Sequence, residues 1–247
     1  MDKDKILEFA RLIRESDNIV FFGGAGVSTE SGIKDYRSED GLYNTVKQYG
    51  VSPETILSHS FFEDHPEVFY DFYYNYFLAV TAEPNKAHFA LAELEKRGKL
   101  KAVITQNIDG LHQKAGSKNV IELHGTVFEH YCPSCGAEMP TEEVAALKGG
   151  IPRCEKCGHI IKPRVTLYEE SLDERVIEAA VSAISSADLL IIGGTSLAVY
   201  PAAGFIRYFG GENIVLINKG ETGIDSRAKL VFRDSIGEVL SETVDNL

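Results

Sequence analysis

The chain has 247 residues, 44% of them hydrophobic and 25% charged, with a formal net charge of −12. That length and composition describe an ordinary soluble globular protein, either one large domain or one domain with a small module. The negative charge repels nucleic acid phosphates, which disfavours a general role on DNA or RNA and suits cationic protein partners.

Residues 3–16 read as an amphipathic helix, because Ile6, Phe9, Ala10 and Ile13 share one helical face. Charged residues interrupt every apolar run of "MDKDKILEFARLIRES", so no signal peptide is expected there. No apolar run approaches the roughly 20 residues that span a membrane, and the cytoplasm is the expected compartment. "NIVFF" (18–22) is a short buried strand that runs straight into Gly23, Gly24, Ala25 and Gly26. Residues 39–84 lack a strand pattern, and their aromatic run "FYDFYYNYF" (69–77) fits a helix. Asn85 is placed to cap, and Gly98 to stop, a helix over 85–98. "KAVITQNID" (101–109) and "NVIELHG" (119–125) are apolar strands that end in polar residues. All four cysteines fall within 132–157. Residues 172–188 are helical, and "LLIIGGTS" (189–196) is a strand followed by glycines. Pro201 fits the first turn of a helix that Gly210 and Gly211 would end. "NIVLIN" (213–218) and "KLVF" (229–232) are further strands, and "DSIGEVLSETVDNL" closes the chain as an amphipathic helix.

Apolar strands alternating with helices predict an α/β fold, a Rossmann-like parallel sheet with helices on both faces and a small zinc-ribbon and helical module beside it. The strands end in GGAG, TQNID, LHG, GGTS and INKG. Ligands bind at the carboxyl ends of such strands, so the five clusters are expected to converge on one cleft.

Cys132 and Cys135 form one CxxC pair, and Cys154 and Cys157 form a second after 18 intervening residues. This spacing matches a four-thiolate zinc ribbon; redox-active or incidental cysteines are the alternative. Four thiolates leave no open coordination position, so the expected Zn2+, one per chain, is structural. The linker between the pairs includes "GAEMPTEEVAALKGG", which is not basic, so nucleic acid binding by this module is not expected.

Gly24 and Gly26 permit a tight turn and a close backbone approach to a pyrophosphate. The third glycine of a G-x-G-x-x-G reading is Thr29, and "DGLYNTVKQ" stands where a dehydrogenase would end a second strand on an acidic residue. A hydride-transfer enzyme of the usual design is therefore disfavoured.

"GAGVSTESGIKDYR", "TQNIDGLH", "LHGT", the paired CxxC, "GTSLAVYP" and "IN" together extend over nearly the whole chain. In these motifs the sequence resembles the sirtuin family of NAD-dependent protein lysine deacylases, in particular its compact prokaryotic members. The resemblance implies that an acyl-lysine carbonyl oxygen attacks C1′ of the nicotinamide ribose and nicotinamide leaves. A histidine then takes a proton from a ribose hydroxyl, which attacks the acyl carbon, and the products are free lysine, nicotinamide and O-acyl-ADP-ribose. It implies a Rossmann-like NAD-binding domain over 1–38, 85–128 and 163–247, a helical insertion with a cofactor-binding loop over 39–84, and a zinc-binding module over 129–162.

By the same resemblance His124 is the general base, a role that a neutral imidazole fits. The other six histidines keep an ordinary structural reading, with His112 the one nearest TQNID. Gly24, Ala25, Gly26, Ser28 and Thr29 form the pyrophosphate cradle, and Asp35, Tyr36 and Arg37 begin a loop over the nicotinamide ribose. Asn107 positions the ribose and a water, Gln106 contacts a ribose hydroxyl, Ile108 packs on the nicotinamide ring, and Asp109 accepts from its amide. Asn107 or Asp109 could equally cap the next helix. Gly194, Thr195 and Ser196 form a second phosphate and ribose turn, Asn218 bonds the adenosine ribose, and the region at Ile236 closes over the adenine. Val165, Thr166, Tyr168 and Val199 contact the substrate.

The chain departs from the family pattern at Lys34, usually proline, at Tyr36, usually phenylalanine, and at Glu169, usually glycine. The added acid points to peptides with basic flanking residues. Tyr73 matches the tyrosine of relatives that remove acidic acyl groups, but Tyr76 stands where their arginine would be, so a preference for neutral acyl groups over succinyl or malonyl is expected. The partners implied are acetyl-lysine proteins or peptides, and the chain itself is expected to be a monomer. Two other readings use the same NAD site: transfer of ADP-ribose to protein, and NAD sensing without catalysis.

Overall fold

The computed structural model describes residues 1–33, 46–78 and 81–247, so Lys34, Asp35, Tyr36 and Arg37 lie outside the described residues. Nine strands are present among the described residues: β1 (Ile19–Gly23), β2 (Leu100–Thr105), β3 (Val120–Glu122), β4 (Gly125–Tyr131), β5 (Glu138–Met139), β6 (Lys162–Val165), β7 (Leu189–Gly193), β8 (Ile214–Ile217) and β9 (Leu230–Phe232). Six of them form one parallel sheet in the order β3-β2-β1-β7-β8-β9.

Every residue of β1 and β7 is buried, as expected for strands covered on both faces. Alternate side chains feed two cores. Phe21, Val103, Ile191 and Val215 pack under the helices Lys3–Glu15, Lys86–Lys96 and Ile236–Asp245. Phe22, Ile104, Ile192 and Leu216 pack under the helix Glu174–Ser186 and the 3-10 helix Ala202–Tyr208. The helices start where short polar side chains satisfy their first amides. Asp2 accepts from the amides of Asp4 and Lys5, Asn85 from Ala87, and Asp173 from Arg175. Gly98, at φ 75°, follows the Lys86–Lys96 helix in the left-handed conformation that ends helices. The segment after Pro201 is a 3-10 helix with Pro201 at its N-cap, one position earlier than its sequence reading. Three residues per turn place Ala202 over Phe205 and Ala203 over Ile206, which buries both pairs in two eclipsed rows.

Strands β5, β4 and β6 form a small antiparallel sheet. A third core joins it to the aromatic run: Phe62, Phe69, Tyr70 and Tyr73 pack on Val127, Val144, Val165 and Leu167. The aromatic run is helical over Pro66–Tyr73 and widens into a π-helical turn over Tyr74–Leu78. No helix among the described residues is long and apolar enough to cross a membrane.

Candidate active site

The register of the large sheet aligns Glu122, Thr105, Gly23, Gly193, Ile217 and Phe232 in one row across six strands. All six strands end on that row, so the segments that follow them emerge along one edge. The chain leaves β1 toward β2 on one side and returns to β7 on the other, so the crevice opens between β1 and β7.

Asn107 sits just past β2 and reaches across to the β1 loop. Its side-chain amide donates to the Gly24 carbonyl at 3.1 Å and to Ser28 Oγ at 3.0 Å. Ser28 in turn donates to Asp109 Oδ2 at 2.6 Å, and Asp109 Oδ1 accepts from the Leu111 amide at 3.0 Å. Asp109 therefore closes the first turn of the helix Leu111–Ala115 while also facing Ser28. Gln106 is buried and donates through Nε2 to Thr195 Oγ1 at 3.1 Å, which ties the end of β2 to the turn after β7.

His124 lies between β3 and β4 and is half-buried. Its Nδ1 is 2.9 Å from the Gln106 carbonyl oxygen. A carbonyl only accepts, so Nδ1 carries a proton, and in the neutral form of the ring the lone pair is at Nε2. On the backbone, the His124 carbonyl accepts from the Thr166 amide at 2.9 Å. Gly125 follows at φ 75°, and a Cβ there would stand 2.0 Å from the Arg164 carbonyl oxygen. The next residue after the histidine must be glycine for β4 to run this close to β6.

A cavity of ≈ 1010 Å³ opens at this edge. It brings together Ala25, Ser28, Gln106, Asn107, Ile108, Asp109 and His124 with Val165, Thr166, Tyr168 and Val199. The sequence-predicted residues Gly24, Gly26, Thr29, Gly194, Thr195, Ser196 and Asn218 stand outside its lining. Of these, Thr29 and Ser196 are exposed. Asn218 follows β8 and bonds the Gly220 carbonyl at 3.0 Å. The Ile236 side chain is buried in the core beside Gly193, so a ligand contact there goes through its backbone.

The lining residues that sequence reasoning did not single out for the site include the acidic Glu122, Glu169 and Glu170. Glu122 ends β3 beside the cavity, and burial raises its pKa above the usual carboxylate value, with Glu129 and Asp109 adding to the shift and Gln113 opposing it. Glu169 and Glu170 line the wall next to Tyr168. The Tyr73 hydroxyl is turned into the wall, donating to the Val127 carbonyl at 3.1 Å and lying 2.9 Å from His130 Nε2. Burial pushes His130 down to about 4, and its other ring nitrogen, Nδ1, lies 3.3 Å from Thr141 Oγ1.

The four cysteine sulfurs all lie within 4.8 Å of one another, at the turns of the small sheet. Three of the S···S distances are 3.4, 3.5 and 3.6 Å. A disulfide would need about 2.05 Å, whereas tetrahedral Zn–S bonds of about 2.3 Å put sulfurs roughly 3.8 Å apart. The four thiols fit one structural zinc ion.

A family model described as the Sir2 family matches residues 24–201. The chain is 57% identical to an NAD-dependent protein deacetylase of Clostridium acetobutylicum over 241 residues, covering 98% of each chain. It is 55% identical to another of that name from Clostridium tetani, over 100% of this chain and 99% of the relative. Among solved structures, Sir2 with p53 peptide and NAD+ superposes with a TM-score of 0.86 at 38% identity, covering 96% of each chain. Sir2 with deacetylated p53 peptide and 3′-O-acetyl ADP ribose gives 0.87 at 40% identity, again over 96% of each. The match spans both sheets, the strand-end row and the cysteine cluster, and with relatives this similar over the full length it follows that the chain belongs to the Sir2 family.

Proposed function

We propose that the chain is an NAD-dependent protein deacetylase in which His124 acts as general base at the cavity wall. The observation that carries this reading is the bond from His124 Nδ1 to the Gln106 carbonyl, which fixes the ring and leaves Nε2 as the basic nitrogen. The cavity suits two ligands at once: ≈ 1010 Å³ lies at the upper end of ligand-pocket sizes, and its lining includes Ala25 and Ser28 as well as Thr166 and Tyr168.

The residues present fit NAD. Bound NAD supplies the electrophilic ribose carbon that the acyl oxygen attacks and the hydroxyl that later accepts the acyl group. His124 accepts the proton of that hydroxyl at Nε2 and later returns it. Asn107 and Gln106 orient the ribose, with Asn107 already held by Gly24 and Ser28. Asp109 would receive the nicotinamide amide and Ile108 would pack on its ring, with Asp35, Tyr36 and Arg37 beginning the loop over the ribose and the Tyr36 ring shielding the reacting carbon. Gly24, Ala25, Gly26, Ser28 and Thr29 hold the pyrophosphate. Gly194, Thr195, Ser196, Asn218 and the Ile236 backbone hold the adenosine half. Val165, Thr166, Tyr168 and Val199 receive the peptide.

We assign NAD binding to a Rossmann-like domain of residues 1–38, 85–128 and 163–247, a helical insertion with a cofactor-binding loop to 39–84, and metal binding to 129–162. The acyl end meets an aromatic wall with Phe69, Phe77 and Tyr76, and the Tyr73 hydroxyl is already bonded, so neutral acyl groups are preferred. The enzyme works as a cytoplasmic monomer on acetyl-lysine proteins and does not act on nucleic acid, in keeping with its charge of −12. Incubation with NAD and matched acetyl-lysine and succinyl-lysine peptides, followed by mass analysis, tests the reading. Free lysine with O-acetyl-ADP-ribose is expected, faster from the acetyl peptide. Protein carrying ADP-ribose, with no deacylated peptide, would refute it in favour of a transferase.

A further inference from the structure

The structure assigns Glu169 and Glu170 a positioning role: with Lys162 and His59 they hold the backbone of residues 165–168 in the shape that receives the acetyl-lysine peptide. The inference rests on the deacetylase reading and names what fixes its peptide wall.

Lys162 opens β6 with its side chain 5% exposed. Its ammonium donates to the Val165 carbonyl at 2.7 Å and to Glu170 Oε2 at 3.0 Å. The same Glu170 oxygen accepts from the Leu167 amide at 2.8 Å, and Oε1 lies 2.9 Å from His59 Nδ1. One buried cation and one carboxylate thus seize a carbonyl and an amide two residues apart on the same segment. Burial works to raise the Glu170 pKa, but the Leu167 amide, His59 and Lys162 hold it below the usual carboxylate value.

Glu169 adds a second fastening. It is a non-glycine residue at φ 76°, a conformation that costs an L-residue about 1–2 kcal/mol. Its carboxylate accepts from the Ser60 amide at 2.9 Å and from Ser60 Oγ at 3.0 Å, at the start of the helix His59–Asp64. The backbone completes the seam: His59 N donates to the Tyr168 carbonyl and Tyr168 N to the Leu57 carbonyl, both at 3.0 Å.

The reason for so many polar ties is the emptiness on either side. Tyr168 and Glu169 line the ≈ 1010 Å³ cavity and also a separate pocket of ≈ 420 Å³ behind it. Val165 and Leu167 are anchored in the third core, but Tyr168 and Glu169 lie between the two hollows, where hydrogen bonds rather than apolar packing set the backbone position. A buried ion pair contributes little net stability, since desolvation offsets its attraction. Lys162 and Glu170 act instead on the geometry of the segment between them. On the deacetylase reading NAD would be held by the loop after β1, at Ala25 and Ser28, which shares no hydrogen bond with Lys162, Glu169 or Glu170, so the clamp is expected to act chiefly on the peptide.

The test uses Lys162→Met, Glu170→Gln and Glu169→Ala, each checked for fold by circular dichroism. The readouts are KM for an acetyl-lysine peptide, KM for NAD, kcat, and the dissociation constant of the fluorescently labelled peptide. Loss of a charge-assisted bond from the clamp is expected to raise peptide KM and dissociation constant about tenfold, with KM for NAD and kcat within about twofold of wild type. Peptide binding unchanged in the folded variants overturns the inference, as does an equal rise in KM for NAD. If burial makes the first two variants misfold, Glu169→Ala decides, because its side chain is exposed. A wild type that binds the peptide without deacetylating it refutes the deacetylase reading and leaves the clamp open to the same binding test. A wild type that fails to bind the peptide refutes both.

Discussion

Replacing Gly125 by alanine probes how tightly the fold holds His124. A Cβ at Gly125 would stand 2.0 Å from the Arg164 carbonyl oxygen, where ordinary contact begins at 3.4 Å. The neighbour is backbone in β6, so relief requires β4 and β6 to part by more than an ångström. Left-handed φ for a residue with a Cβ costs about 1–2 kcal/mol. Overpacking costs about 1–3 kcal/mol, and the strained bond between the Thr166 amide and the His124 carbonyl contributes about 1 kcal/mol. The total of about 3–6 kcal/mol corresponds to a melting point lower by about 6–24 °C in a domain of this size. A displacement of about 1 Å at His124 should also lower kcat about a hundredfold. Gly98→Ala is the control. Gly98 has the same φ of 75°, but a Cβ there meets nothing within 4 Å. It should cost only the conformational term and leave kcat alone. Thermal melts and steady-state turnover of both variants decide the matter. Gly125→Ala melting within about 2 °C of Gly98→Ala, with kcat within about twofold of wild type, would refute the steric reasoning.

His124→Ala should lower turnover by about 10²–10⁴-fold while calorimetry still detects NAD binding; unchanged turnover would sink the base assignment. Metal analysis should find one zinc ion per chain, and a strong chelator should unfold the small sheet around the cysteines; metal-free protein with full fold and activity would overturn the zinc assignment. Burial pushes His88 down to about 4 and His112 to about 3, with His88 adding to the shift of His112. The unfolded chain takes up these protons near the ordinary value of 6.5, before the folded chain does. Stability should therefore be complete above that pH and fall as pH drops toward 4 and 3, by up to about 1.4 kcal/mol per unit per histidine. The gap between urea midpoints at pH 7.5 and 5.0 should narrow in His112→Leu, with the His88 share remaining, since the change removes two buried ring nitrogens without partners; an undiminished pH dependence would count against the argument.

The parallel sheet was legible because its strands are continuous apolar runs, each closed by polar or glycine residues at the functional edge. His124 and the four cysteines were legible from motif and spacing. Strands β4 and β6 were harder to read, because β4 has exposed residues at Phe128 and Glu129, and its register with β6 is broken between Gly125 and His130. The Lys162–Glu170 clamp left no periodic trace, since its partners in residues 57–60 and 165–170 meet only through the fold. The signal that pointed toward it was the glutamate at 169, a position usually held by glycine. Ile236 shows the opposite limit: a residue placed at the right helix start turned its side chain into the core.

The glycines after β1 and β7 have a use that the phosphate-loop reading overlooks, and it yields a separate prediction. The Gly26 amide donates to the Gly194 carbonyl at 2.8 Å, and the Gly194 amide donates to the Ile217 carbonyl at 3.0 Å. A Cβ on Gly26 would stand 2.7 Å from Gly194 Cα, and one on Gly194 would stand 2.4 Å from the Val27 amide nitrogen. These amides are engaged within the protein, so the two turns are locked to each other before any ligand arrives, and Ala25 and Ser28 reach the cavity from that joint. Gly26→Ala and Gly194→Ala press on the same pair of backbones, so separating the turns once relieves both. The double variant should therefore lose less stability than the sum of the single losses, with a coupling of about 0.5–3 kcal/mol. Both singles should also raise KM for NAD, because a displaced turn carries Ser28 away from Asn107 and Asp109. Chemical denaturation of the four proteins measures the coupling. Additive losses would show that the two glycines serve independent contacts and that the joint between the strand ends is not what shapes the NAD site.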